Sequence, residues 1–151
     1  MKIILDDLSS GDVIQLLEEH LADMYATSPP ESVHALDVER LKSPNITFFS
    51  AWLNEHLQGC LAINKLSDSH LELKSMRTAT QARNSGVASQ LLLHVVNYAT
   101  EQGYKRISLE TGSQDYFKAA RNLYEKFGFE YCQPFAEYKE DINSQFMTKH
   151  L

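Results

Sequence analysis

Between residues 71 and 99 the chain changes its hydrophobic period. Leu71-Glu72-Leu73-Lys74-Ser75-Met76-Arg77-Thr78 alternates apolar and polar positions, the period of a strand. Leu71 and Leu73 share one face; Glu72, Lys74 and Met76 share the other. Val87, Leu91, Leu92, Val95, Val96 and Ala99 then recur as one broad apolar face of a helix. Between them lies a polar turn, Arg83-Asn84-Ser85-Gly86-Val87-Ala88. A strand that feeds such a turn and then a helix points backbone N–H groups and a helix N-terminus outward together, which suits phosphate. An ordinary capped strand–helix turn has the same pattern.

The same reading orders the rest of the chain. Residues 2–5 are a short strand. Ser9 or Ser10 caps a helix whose buried stripe is Val13, Leu16, Leu17, Leu21 and Met24, with Leu8 placed as a staple. Pro29-Pro30 ends it. A shorter amphipathic helix is predicted over residues 33–41. Strands at 46–53 and 57–63 form a hairpin across Asn54-Glu55-His56, and Gly59 marks a bulge or a close packing point. The long helix stops at Gly103. Residues 105–111 form a strand with Ile107 and Leu109 on one face and Ser108 and Glu110 on the other. Phe117, Ala120, Leu123, Tyr124 and Phe127 follow at helical spacing, and Gly128 stops that helix. Strands at 129–132 and 145–149 flank a polar connection, 134–144, that contains Tyr138. Strand–helix alternation of this kind predicts an α/β fold with a partly parallel sheet.

Composition narrows the function classes. The 151 residues suit one domain spanning 1–151. A net charge of −6 argues against nucleic acid, which needs clustered Lys and Arg. The two cysteines, Cys60 and Cys132, stand far apart in apolar runs and read as small buried hydrophobes in a reducing compartment. The six histidines show no metal spacing, so no metal is expected. The opening apolar run meets Asp6-Asp7 too soon for a leader or a membrane span. A cytoplasmic protein without membrane contact is expected.

Two motifs carry a family resemblance. Arg83-x-x-Gly86-x-Ala88, after a strand and opening a helix, resembles the acetyl-CoA pyrophosphate motif of the GCN5-related N-acetyltransferases (GNAT superfamily). Ala120-Arg121-Asn122-Leu123-Tyr124-Glu125-Lys126-Phe127-Gly128-Phe129 matches the A-x-x-L-Y-x-x-x-G-F pattern of that family's last helix and following strand. Together the motifs cover the C-terminal half; the N-terminal half is similar in the order of its elements. The resemblance implies a mixed, partly splayed central sheet of about six to seven strands flanked by about four helices.

It also implies site residues. Arg83, Asn84, Ser85, Gly86, Val87, Ala88 and Ser89 would hold the pyrophosphate of acetyl-CoA. The backbone of Met76, Arg77 and Thr78 would pair with the pantetheine arm as an added strand does. An N–H near Met76 would polarise the thioester carbonyl. Phe117 and Ala120 would line the cofactor; many members carry asparagine where Phe117 stands, so contact there is apolar or comes from Ser113 or Gln114. Met24, Tyr25 and the loop at 27–32 would face the acceptor.

An amine must lose its proton before it attacks, and a free alkyl amine has a pKa of ~10.4. Glu72 is the candidate base, with a surface strand carboxylate as its other reading. Tyr124 is the candidate acid for the departing CoA sulfur, with a core aromatic as its other reading. The expected activity is acetyl-CoA-dependent N-acetylation of a primary amine on a small molecule, by direct attack in a ternary complex. An idle CoA- or acyl-CoA-binding module, an acetyltransferase acting on a peptide or protein amine, and a partner-binding domain with a degenerate pocket remain open beside it. So does a homodimer.

Overall fold

The alternating segment becomes a strand in the middle of a seven-stranded sheet. A computed structural model describes all 151 residues. The strands are β1 (Lys2–Leu5), β2 (Ile46–Leu53), β3 (His56–Lys65), β4 (His70–Thr78), β5 (Arg106–Gly112), β6 (Glu130–Tyr131) and β7 (Ser144–His150). The helices are α1 (Gly11–Thr27), α2 (Val38–Leu41), α3 (Val87–Glu101) and α4 (Lys118–Lys126). Sheet order is β1-β2-β3-β4-β5-β7-β6. Five of the six ladders are antiparallel; β4 and β5 pair in parallel, with α3 as their crossover. The expected architecture is therefore present, in mostly antiparallel form.

The core follows the apolar stripes. Val13, Leu16 and Leu17 of α1 and Val87, Leu91, Leu92, Val95 and Ala99 of α3 are buried, together with Leu61, Ile63, Leu71, Leu73, Ile107 and Leu109 of the sheet. Gly59 lets α3 lie close to β3. A Cβ there would sit 2.7 Å from the Arg77 carbonyl oxygen and 3.1 Å from Val87 Cγ1. No helix is long and apolar enough to cross a membrane.

Several local expectations change. The helix expected at 33–41 shortens to α2, capped by the Asp37 carboxylate on the Arg40 N–H at 2.9 Å. A 3-10 turn (Pro30–Ser32) and an extended run precede it, and Asp37, which caps α2 with its carboxylate, sets the helix start at Val38. The hairpin loop is the two residues Asn54 and Glu55, with φ of 49° and 67°, and His56 already pairs with Leu53. Positive φ at both positions matches the right-handed strand twist. Leu21 and Met24 are half-buried rather than core, and Tyr25 is exposed on α1. Cys60 is buried, while Cys132 is half-buried just past β6.

The alternation of β4 is interrupted. Cys60 and Ala62 of β3 pair with Arg77 and Lys74 of β4, so two steps on β3 meet three on β4. The extra residue falls at Ser75–Met76, where Ser75 has φ 53°. A bulge bends its strand and raises local twist. Pairing with β5 stops at Leu73↔Leu109, short of the bulge, while β5 stays on β7 as far as Gly112↔Ser144. The two central strands part there.

Candidate active site

The parting strands open a cavity of about 420 Å³. It runs from the start of α3, between β4 and β5, to a polar end beneath the residue 134–143 connection.

At the α3 end the backbone forms a cradle. Asn84 and Gly86 have φ of 62° and 83°. A Cβ on Gly86 would meet nothing within 4 Å, so the left-handed φ, not lack of space, calls for glycine and leaves the backbone open to close approach. The Ser85 hydroxyl donates to the Ala82 carbonyl and steadies the turn. No side chain caps α3. Its first N–H groups and the positive end of its dipole are thus available to an anion.

The middle is built by the bulge and by α4. Ser75 Oγ and Arg77 Nε are buried without a hydrogen-bond partner. The Arg77 guanidinium pairs with Asp23 of α1 at 2.6 Å, and the Tyr116 hydroxyl donates to the same carboxylate at 3.3 Å. The Arg77 hydrogen bond holds the Asp23 carboxyl below the usual carboxylate range. Arg121 of α4 donates to the Gly112 carbonyl at 2.6 Å and the Gln114 carbonyl at 3.0 Å, tying α4 to the end of β5. That tie sets Tyr124 on the cavity wall. Tyr124 is buried, its hydroxyl makes no hydrogen bond within the protein, and burial followed by the nearby Glu110 charge raises its phenol above the ordinary value.

The polar end joins four elements. Glu72 is buried; it accepts from the Tyr138 hydroxyl, from Asn64 Nδ2 at 3.2 Å and from Lys74 Nζ at 3.5 Å. Lys74 donates to the Tyr138 oxygen at 2.9 Å. The His34 ring meets the Tyr138 ring edge-on at 5.0 Å. Burial, and then the Lys74 charge, hold His34 below the ordinary histidine value. On β5, Glu110 accepts from the Ser144 hydroxyl at 2.7 Å, and burial lifts its carboxyl from 4.5 to about 6.

Of the residues expected from sequence, Glu72, Met76, Arg77, Thr78 and Tyr124 line this cavity, as do Arg83, Asn84, Ala88, Phe117 and Ala120. Ser85, Gly86, Val87 and Ser89 do not line it: Ser85 and Gly86 are exposed in the turn beside it, Val87 is buried in the core and Ser89 is half-buried. Glu72 is no surface carboxylate. Met24, Ser28 and Ser32 line the cavity; Tyr25 does not. Ser113 donates to the Ile142 carbonyl at 2.6 Å and Gln114 Nε2 to Asn143 at 3.2 Å; neither residue lines the cavity, and Gln114 Oε1 is buried without a partner. No group of three or more His, Cys, Asp or Glu is placed to hold a metal ion.

Sequence reasoning assigned no role to Glu110 or Lys74. The available signal was a carboxylate near the carboxyl end of a strand next to the nucleotide-type turn, where ligands of open α/β sheets collect.

A model of the acetyltransferase (GNAT) family matches residues 13–129. The uncharacterized N-acetyltransferase YsnE of Bacillus subtilis (strain 168) is 53% identical over 151 residues, covering 100% of both chains. An acetyltransferase from Streptococcus agalactiae 2603 superposes with a TM-score of 0.76 at 20% identity, over 99% of this chain and 98% of that one. An acetyltransferase from Elizabethkingia anophelis, solved with acetyl-CoA bound, superposes with a TM-score of 0.72 at 18% identity, over 99% and 97%.

Proposed function

The chain belongs to the acetyltransferase (GNAT) family of acyltransferases, and from that premise we propose that it transfers the acetyl group of acetyl-CoA to a primary amine of a small molecule, by direct attack in a ternary complex. The observation that carries this reading is the gap between β4 and β5. It joins an uncapped helix start, a bulged strand edge, Glu110 and Tyr124 along one cavity.

The residues fit the donor. The open backbone at Gly86 and the bare α3 N-terminus suit the diphosphate, with Arg83 beside them. The bulged edge at Met76 to Thr78, with unpartnered Ser75 Oγ and Arg77 Nε near it, suits the two amides of the pantetheine arm. Bound there, the donor supplies the acetyl thioester.

We place the base at Glu110 and give Glu72 a positioning role. Glu72 has its oxygens taken up by Tyr138, Asn64 and Lys74, whereas Glu110 has one donor and a carboxyl poised near the operating range. Glu110 takes one proton from the acceptor's ammonium. The freed nitrogen attacks the carbonyl carbon, a C–N bond forms and the C–S bond breaks. Tyr124 gives its hydroxyl proton to the departing sulfur. The second proton shed by nitrogen, on becoming an amide, restores Tyr124, and Glu110 returns its proton to water. Burial keeps Tyr124 protonated until sulfur leaves.

The test is release of CoA thiol from acetyl-CoA with a panel of primary amines. Release above the hydrolysis background supports the reading. A protein that binds acetyl-CoA but releases none with any amine is a binder and not an enzyme.

A further inference from the structure

Two opposite charges face the deep end of the cavity without meeting. Lys74 of β4 and Glu110 of β5 both line it. The parallel register pairs Glu72 with Ser108. Two residues further on, Lys74 and Glu110 come on the same face, one on each bank of the gap. They form no ion pair with each other; Lys74 pairs instead with Glu72 at 3.5 Å, and the other three ion pairs lie elsewhere.

Lys74 is short of partners. Its side chain is 10% exposed, so water reaches it little. An ammonium has three N–H groups. One goes to the Tyr138 oxygen at 2.9 Å, and a second makes a long 3.5 Å contact with Glu72. Glu72 is itself largely satisfied by Tyr138 and Asn64. The third N–H has no acceptor in the protein. Glu72 balances the charge at long range, but a buried N–H left without an acceptor is costly, and an incoming anion oxygen removes that cost. His34 is held neutral by burial and by Lys74, so it adds no competing cation.

Resting on the acetyl-transfer reading above, we infer that the acceptor is an amino acid with a free carboxylate, its ammonium directed to Glu110 and its carboxylate to Lys74. A plain alkylamine leaves Lys74 incomplete. A polyamine sets a second cation against it.

The test compares the common amino acids and β-alanine, each beside its own carboxamide and a plain alkylamine of similar size. A charge-assisted hydrogen bond to a buried cation predicts that at least one free acid exceeds its carboxamide in kcat/KM by about tenfold or more. Lys74→Gln brings that ratio close to one, and Lys74→Arg, which keeps the charge, restores most of it. Circular dichroism and binding of CoA verify that the variants fold. Isothermal titration of the acid into the CoA-saturated protein reads recognition without turnover. Acid binding that Lys74→Gln weakens about tenfold supports the inference even where no amine releases thiol; that outcome sinks the catalytic reading alone. The inference is overturned if carboxamide or alkylamine serves as well as the acid, if Lys74→Gln leaves the ratio unchanged, or if no acid binds.

Discussion

Replacing Glu110 with glutamine tests the assignment of the base most directly. The change keeps shape and the Ser144 hydrogen bond, and removes only the charge. In the wild type, burial sets the Glu110 carboxyl at about 6, so it is almost wholly ionised at pH 7.5. An acceptor amine with a pKa of ~10.4 is neutral in roughly one molecule per thousand at that pH. Without a base the enzyme waits for that fraction, which corresponds to about 4 kcal/mol of barrier. The expected loss in kcat/KM for the acceptor at pH 7.5 is therefore ~10²–10³-fold, within the usual range for general-base catalysis.

The pH profile sharpens the test. Wild-type kcat/KM, read by thiol release at saturating acetyl-CoA, should fall with unit slope below about pH 6, where Glu110 takes up its proton. In Glu110→Gln the break moves to the amine's own pKa, and the deficit shrinks about tenfold per pH unit as neutral amine accumulates. Stability runs the other way. The folded pKa of Glu110 is raised, so its stabilising contribution is full below the unfolded value and is lost as pH rises through about 6. Glu110→Gln should thus lose no thermal stability at pH 7.5, which separates a lost base from misfolding. A variant that stays within about threefold of wild type, with the acid limb unmoved, refutes the assignment.

Two further substitutions bear on the same architecture. Tyr124→Phe removes a hydroxyl with no partner in the protein, so Tm should hold within about 2 °C while kcat falls ~10²-fold with little change in KM for acetyl-CoA; an unchanged kcat leaves Tyr124 as a core aromatic. Gly59→Ala forces a methyl to 2.7 Å from the Arg77 carbonyl between β3, β4 and α3, costing about 1–3 kcal/mol and lowering Tm by roughly 2–12 °C in a thermal melt; an unshifted melt would mean that the β4 backbone at Arg77 gives way freely.

Much of this protein was readable along the chain because its determinants are local. The strand at Leu71–Thr78, the helical stripe from Val87 to Ala99, Gly86 at a left-handed helix start and the Ala120–Phe129 pattern each fit within one element and its cap, and each is in place, although a bulge breaks the alternation of that strand. The helix expected at 33–41 begins only at Val38, because apolar spacing does not locate the cap and Asp37 supplies it four residues in.

What required the tertiary structure was anything decided by contact across strands. A bulge at Ser75–Met76 exists only relative to β3, since it is a mismatch of register and not a property of either sequence. Glu72 and Glu110 look alike as carboxylates on alternating strands. Packing hands the first to Tyr138, Asn64 and Lys74, and leaves the second with Ser144 alone in a low-dielectric wall. Burial and partners set the ease with which a carboxylate holds a proton. Both come from residues far away in the chain, so sequence could mark the binding turn while the fold chose which acid stands free beside it.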